Sequence, residues 1–152
     1  MTTGYARSFK DLRVYQKARE VSRAVFKLSK GFPKEEMYSL TDQIRRAVRS
    51  VGAQIAEAWG KRRYEKHFVS KLTDADAEQM ETQHWVSEAL DCGYISPADA
   101  NQLNSGLAEI GRMLNSMMEK ADSFCGSPDG VFHEDAIEYF TAADHRSPIT
   151  DH

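Results

Sequence analysis

The residues best equipped for chemistry are eight cations, Arg45, Arg46, Arg49, Lys61, Arg62, Arg63, Lys66 and Lys71, gathered in one stretch of the chain. An arginine fork binds phosphate oxygens in pairs and a lysine adds a point charge, so a phosphate backbone could lie along the series. Tyr64 and Trp59 stand within it, and either ring could stack on an unpaired base. A blander account exists for individual members. Asp42 is spaced to pair with Arg45 or Arg46 on one helix, Glu57 with Lys61, and Lys61 to Arg63 would complement a helix C-terminus. The charge balance favours binding for the series as a whole. Residues 1–71 hold 17 of the 20 Lys and Arg but only 7 of the 23 Asp and Glu, and seven carboxylates cannot neutralise 17 cations. Residues 72–152 reverse this, with 3 cations against 16 carboxylates, so the overall net charge of −3 conceals two oppositely charged halves.

Other chemistries find less support. Glu81 and His84 have the Glu-x-x-His spacing that di-iron bundles use, but a two-metal site needs a second such pair. The expected second and fourth helices offer only Glu57, Glu109 and Glu119. A solvated or intersubunit ladder of Glu81, His84 and Glu88 is the simpler reading, and no metal or other cofactor is expected. Ser50, Ser70 and Ser87 lack a histidine and acid placed to activate them, and there is no glycine-rich phosphate loop. His133-Glu134 lacks the second histidine of a zinc-protease helix, and a lone His67 beside Lys66 is read as a phosphate contact. No catalytic residue is nominated. Cys92 and Cys125 fall in no metal or redox spacing and are read as free thiols, while Met113, Met117 and Met118 are read as core filling.

Apolar residues at three-and-four spacing mark the elements that would carry these groups, and no sustained alternating pattern marks a strand. A first helix is expected from about Asp11, as N-cap, to Lys30, with Leu12, Tyr15, Ala18, Val21, Val25 and Leu28 inside. A second runs from near Ser39 to Gly60, striped by Leu40, Ile44, Val48, Val51 and Ile55. A third, Tyr64 to Cys92, has a mixed inner face of Phe68, Leu72, Ala75, Met80, Val86 and Leu90 with Asp76, Gln79 and Gln83. Gly93 breaks it, and Ser96, Pro97 and Asp99 supply the N-cap, first-turn proline and acidic N3 residue of a fourth. The fourth repeats Leu103, Leu107, Ile110, Leu114, Met117, Ala121 and Phe124, a rhythm suited to a bundle. The short turn at Gly93 makes the last two helices antiparallel, which places Cys92 and Cys125 at opposite ends, too far apart for a disulfide. The expectation is an all-α, antiparallel up-down-up-down four-helix bundle over residues 1–125. An acidic C-terminal tail follows over 126–152, with a short helix at Asp135 to Ala143. The longest apolar run is Ala24, Val25, Phe26, so no membrane segment and a cytoplasmic location are expected.

The stretches Phe9 to Ala18, FKDLRVYQKA, and Phe32 to Ala47, FPKEEMYSLTDQIRRA, resemble a known family, as do Ile55-Ala56-Glu57 and Gly93-Tyr94-Ile95. It is the four-helix-bundle proteins encoded by intervening sequences of bacterial large-subunit ribosomal RNA genes. The resemblance covers roughly residues 8–122. More distantly, the chain is similar in proportions to the accessory variability protein of diversity-generating retroelements, which works with a reverse transcriptase and RNA. The resemblance implies a homopentamer, a ring of five bundles, with a basic surface for nucleic acid and no catalytic activity. The family's second helix usually reads Ser-Ile-Pro-Ala-Asn-Ile-Ala-Glu-Gly; here Gly52 and Gln54 replace its proline and asparagine, so a kink is lost. Asp74 and Ala77 stand where apolar residues are expected, which moves those positions to solvent or alters the packing of helix three.

Two functions compete. The leading one is a non-enzymatic, oligomeric nucleic-acid-binding protein, RNA being the favoured ligand, that uses a basic face of helices 1 to 3. The alternative is a protein-interaction scaffold whose charge asymmetry drives self-assembly or recruits a partner such as a polymerase.

Overall fold

The computed structural model describes residues 5–125 and 132–133. Four long helices form a bundle: α1 Arg13–Ser29, α2 Asp42–Gly60, α3 Glu65–Asp91 and α4 Pro97–Glu119. Helix α1 packs against α2 and α4, and α3 packs against the same two from the opposite side. The short α2–α3 and α3–α4 connections, residues 61–64 and 92–96, force antiparallel neighbours. A four-residue helix, α5 Ala121–Phe124, follows α4, and a two-residue antiparallel pair joins β1 Tyr5–Ala6 to β2 Phe132–His133. The short helix expected at Asp135 to Ala143 lies outside the described residues, as does most of the acidic tail.

Local signals account for most boundaries. Ser96 Oγ accepts from the Asp99 N–H at 3.0 Å, with Pro97 in the first turn of α4. At the end of α3, Gly93 has φ +78. Its N–H reaches the Leu90 carbonyl and that of Tyr94 reaches Ala89, both at 2.9 Å, in the paired pattern of a Schellman cap. The start of α1 differs from expectation. Asp11 does not cap it but closes a 3₁₀ turn, Phe9–Asp11, by accepting from the backbone of Arg7 and Ser8, while Ser8 accepts from Lys10. Leu12 becomes the N-cap in its place, and α1 begins at Arg13. Likewise a π turn, Met37–Thr41, precedes α2 where continuous α-helix from Ser39 was expected. The stripe of the fourth helix is interrupted at Lys120, yet Ala121 and Phe124 stay buried, and Phe124 stacks on Phe68 at 5.5 Å.

The core joins Val14, Ala18, Val21 and Val25 to Ile44, Val48, Val51, Ile55, Phe68, Leu72, Leu107, Ile110 and Leu114. Met113 and Met117 are part of it. Helix α3 has the mixed inner face expected, with Gln79 buried at 4%, but Met80 is 57% exposed and Thr82 is buried in its stead. These polar groups satisfy one another: Gln79 Nε2 donates to Asp76 Oδ1 at 2.9 Å and Gln83 Nε2 to Gln79 Oε1 at 2.7 Å. Thr82 Oγ1 donates to the Glu78 carbonyl. Gly111 of α4 makes room for this ladder, since a Cβ there would stand 2.9 Å from Gln79 Nε2. Asp74 and Ala77 face solvent.

Candidate nucleic-acid interface

Helix α1 buries Ala18, Val21 and Val25, so the residues offset from them by one or two positions turn outward. Arg19, Arg23, Lys27 and Lys30 occupy those positions and form one cationic edge of the groove between α1 and α2. Helix α2 supplies Arg49 to the other edge, and Arg45, Arg46 and Arg49, spaced three and four apart, line a hollow adjoining it. Between the edges lies Phe26. The Lys30 ammonium is 4.8 Å from its ring centre, and the Arg45 and Arg49 guanidinium groups are 4.7 and 5.6 Å away. The negative face of one exposed ring thus holds three cations from two helices close together.

Arg45 is also anchored by its Nε, which donates to Ser29 Oγ at 2.7 Å; Ser29 Oγ in turn donates to the Phe26 carbonyl at 3.0 Å. Asp42 lines a hollow of about 540 Å³ with Arg45, Arg46, Arg49, Ser50 and Ala53. Even so, among the described residues no carboxylate comes within 4.0 Å of Arg45, Arg46 or Arg49. The local pairing with Asp42 that the spacing allowed is not formed.

The remaining members of the basic series fall elsewhere. Lys61, Arg63 and Lys66 are exposed at the α2–α3 connection, beside His67, whose ring lies 5.5 Å from that of exposed Tyr64. Arg62 turns back: its guanidinium lies 3.5 Å from the Trp59 ring centre and its Nε donates to the Trp59 carbonyl at 2.9 Å. Burial pulls this guanidinium below its ordinary range. Lys71 bridges α2 and α3, 3.0 Å from Glu57 Oε1, 3.9 Å from Asp74 Oδ2 and 3.3 Å from Gln54 Oε1. Glu57, spaced to pair with Lys61, is engaged with Lys71 instead. Arg49 and Lys61 are 12 positions apart on and just beyond α2, or about 18 Å at ~1.5 Å per residue. The series therefore divides into a groove cluster, a strip at the bundle's end and a structural lysine.

Arg19, Arg23, Lys27, Lys30 and Phe26 join the site without being singled out by the sequence alone. Their signal was the four-residue spacing of Arg19, Arg23 and Lys27 on the side of α1 opposite its apolar stripe. The Glu81–His84 pair is differently occupied. Glu81 Oε2 accepts from Trp85 Nε1 at 3.0 Å, and His84 packs edge-on against the Trp85 ring at 4.8 Å. Among the described residues no three His, Cys, Asp or Glu side chains are grouped to hold a metal ion, and no helix is long and apolar enough to cross a membrane. Cys92 and Cys125 are free thiols.

The family model of the 23S rRNA-intervening sequence protein matches residues 10–116. A crystal structure of a protein of unknown function from the S23 ribosomal protein family, from Bacteroides thetaiotaomicron VPI-5482, superposes with a TM-score of 0.64 at 27% identity. The match covers 70% of this chain and 98% of that one. No curated protein matches. The matched span takes in all of α1 to α3 and most of α4, which carry every cation of the groove. The chain belongs to the 23S rRNA-intervening sequence protein family.

Proposed function

We propose that the protein is a non-enzymatic, oligomeric RNA-binding protein that holds a phosphate backbone along the cationic edges of the α1–α2 groove. Arg45, Arg46 and Arg49 are the principal contacts, with Arg19, Arg23 and Lys27 facing them. The strip of Lys61, Arg63 and Lys66 extends the cationic surface at the end of the bundle, and Arg62 and Lys71 contribute field more than contact. The reading places the protein in the cytoplasm as a homo-oligomer, the ring of five that the family resemblance implies.

What carries this reading is the absence, among the described residues, of any carboxylate within 4.0 Å of the three α2 arginines, although Asp42 is one turn away. The family's association with 23S rRNA supports RNA over DNA. Changing Arg45, Arg46 and Arg49 together to Glu should abolish RNA retardation on a gel while the helical circular dichroism and its melting curve persist. Wild-type affinity should fall steeply with salt, each neutralised phosphate adding about 0.7 to the log-log slope for a single strand. Binding that survives the triple reversal, or that ignores salt, defeats the proposal.

A second reading is favoured by one observation on α3. The Glu78 carboxyl is held above its ordinary value by burial and then by the neighbouring charges of Glu81 and Asp74, a like-charge cluster that a cationic partner would relieve. In a scaffold, that cluster would receive the groove cations of another copy or a basic protein such as a reverse transcriptase. High salt would then dissociate the oligomer in light scattering, and no RNA would be retarded at any salt concentration.

A further inference from the structure

We propose that the groove between α1 and α2 admits unpaired bases, so that the nucleic acid engaged is single-stranded RNA. This rests on the phosphate-binding reading above and adds what lies between the phosphates. The groove encloses about 830 Å³, within the range of a ligand pocket and more than a flat cationic surface requires. Its floor is apolar, made by Ala18, Val48 and Gly52. A phosphate has no reason to enter it, because a charged oxygen over such a floor loses water and gains no donor. The planar face of a base loses little there.

Aromatic rings stand at both ends. Phe9 and Tyr15 meet edge to face at 4.9 Å at one, and Phe26 stands 39% exposed at the other. The span from Tyr15 to Lys30 along α1 is about 22 Å at ~1.5 Å per residue, long enough for more than one base. The α2 wall is built of small residues, Gly52, Ala53 and Ala56, where larger side chains would close the groove. At Gly52 a Cβ would meet Tyr15 Cε1 at an ordinary 3.5 Å, so the missing methyl reflects no clash and leaves the floor one group deeper. Among the described residues no acidic side chain lines the groove; its α1 rim carries Arg19, Arg23, Lys27 and Lys30, and its α2 rim carries Arg49. Base faces below, with phosphates along the α1 rim and at Arg49, fit a single strand, whereas a duplex keeps its bases paired and out of reach.

Three probes of equal phosphate count separate the possibilities by fluorescence anisotropy: a single-stranded oligoribonucleotide, the same strand annealed to its complement with the count matched, and an abasic strand. The single strand should bind roughly tenfold or more tightly than the abasic strand, from stacking of at least one base. It should also bind more tightly than the duplex. Ala53 is exposed, so Ala53→Phe can fill the groove without entering the core. It should bring single-strand affinity down to the level of the abasic strand measured on the same variant, while Ala53→Ser keeps the preference. Equal binding of all three probes, or a preference untouched by Ala53→Phe, overturns base insertion and leaves the phosphate reading standing. Failure of every probe to bind overturns both.

Discussion

Tyr94 Oη donates to Glu36 Oε2 at 2.8 Å across 58 residues of sequence, tying the segment before α2 to the turn between α3 and α4. Ser39 Oγ donates to the other carboxylate oxygen at 2.8 Å, and Phe32 packs on the Tyr94 ring at 5.7 Å. One end of the bundle is closed by this cluster. The hydrogen bond to Glu36, then burial and nearby negative charge, pushes the Tyr94 phenol from 10.0 up to about 12. The fold favours the neutral phenol, so its stabilisation is complete below pH 10 and is lost between there and about 12. The Glu36 carboxyl is held down by the bonds from Tyr94 and Ser39, so its contribution is present above 4.5 and fades as pH falls through its lowered value. In a phenolate absorbance titration, Tyr94→Phe should remove a late transition and Glu36→Gln should move it back toward 10. A late transition unchanged by Glu36→Gln would mean that the carboxylate is not its cause.

Lys17 forms a second alkali-sensitive link. Its ammonium is 2.8 Å from Glu20 and 3.4 Å from Glu109, whose side chain is only 10% exposed. Burial pulls the Lys17 value down, but the hydrogen bond to Glu20 and the charge of Glu109 outweigh it and the net shift is upward. The stabilisation is therefore present below 10.5 and is lost as pH rises through the raised value. Lys17→Met at neutral pH should cost about 2 kcal/mol, less than a fully buried pair because Lys17 is partly solvated. Urea unfolding with unchanged m-value measures it. A loss below ~0.5 kcal/mol would place the pair with ordinary surface bridges.

Two glycines in helices should respond oppositely to alanine. A Cβ on Gly106 would stand 2.9 Å from Val21 Cγ2, a stiff branched side chain at the α1–α4 crossing, while at Gly60 it would meet nothing within 4 Å. Gly60→Ala should gain roughly 0.5–1 kcal/mol from helix propensity. Gly106→Ala gains the same propensity but forces the helices apart, for a net loss of about 1–2 kcal/mol. Thermal melts of the two variants, run side by side, decide the matter; a stabilised Gly106→Ala would show that the crossing has slack.

Helices α1, α2 and α4 were legible because their apolar residues recur on one side and nothing polar interrupts the stripe. Helix α3 was legible in part: its mixed inner face with Gln79 could be read, but not that Thr82 is buried while Met80 is exposed. The Asp76–Gln79–Gln83 ladder itself fits because Gly111, on another helix, leaves it space. A non-local compensation of this kind leaves no mark in the local pattern. At the candidate site, the charge excess and Arg45, Arg46 and Arg49 could be read directly. That Phe26 gathers Lys30, Arg45 and Arg49 required knowing which face of α1 adjoins α2.

Lys71 and Arg46 provide the sharpest division within the basic series. Lys71 is held between Glu57, Asp74 and Gln54 across the α2–α3 seam, whereas Arg46 is exposed beside the groove with no described carboxylate within 4.0 Å. Lys71→Met should lower stability by about 0.5–1 kcal/mol, the range of a partly exposed ion pair, and leave the salt dependence of RNA binding as it was. Arg46→Gln should do the reverse: little change in the melting temperature, and a log-log salt slope smaller by about 0.7 through loss of one phosphate contact. The two measurements form a crossed pair, because general loss of positive charge would weaken binding equally in both variants. Equal reductions in slope would mean that RNA draws Lys71 away from Glu57, and the seam would then belong to the binding surface.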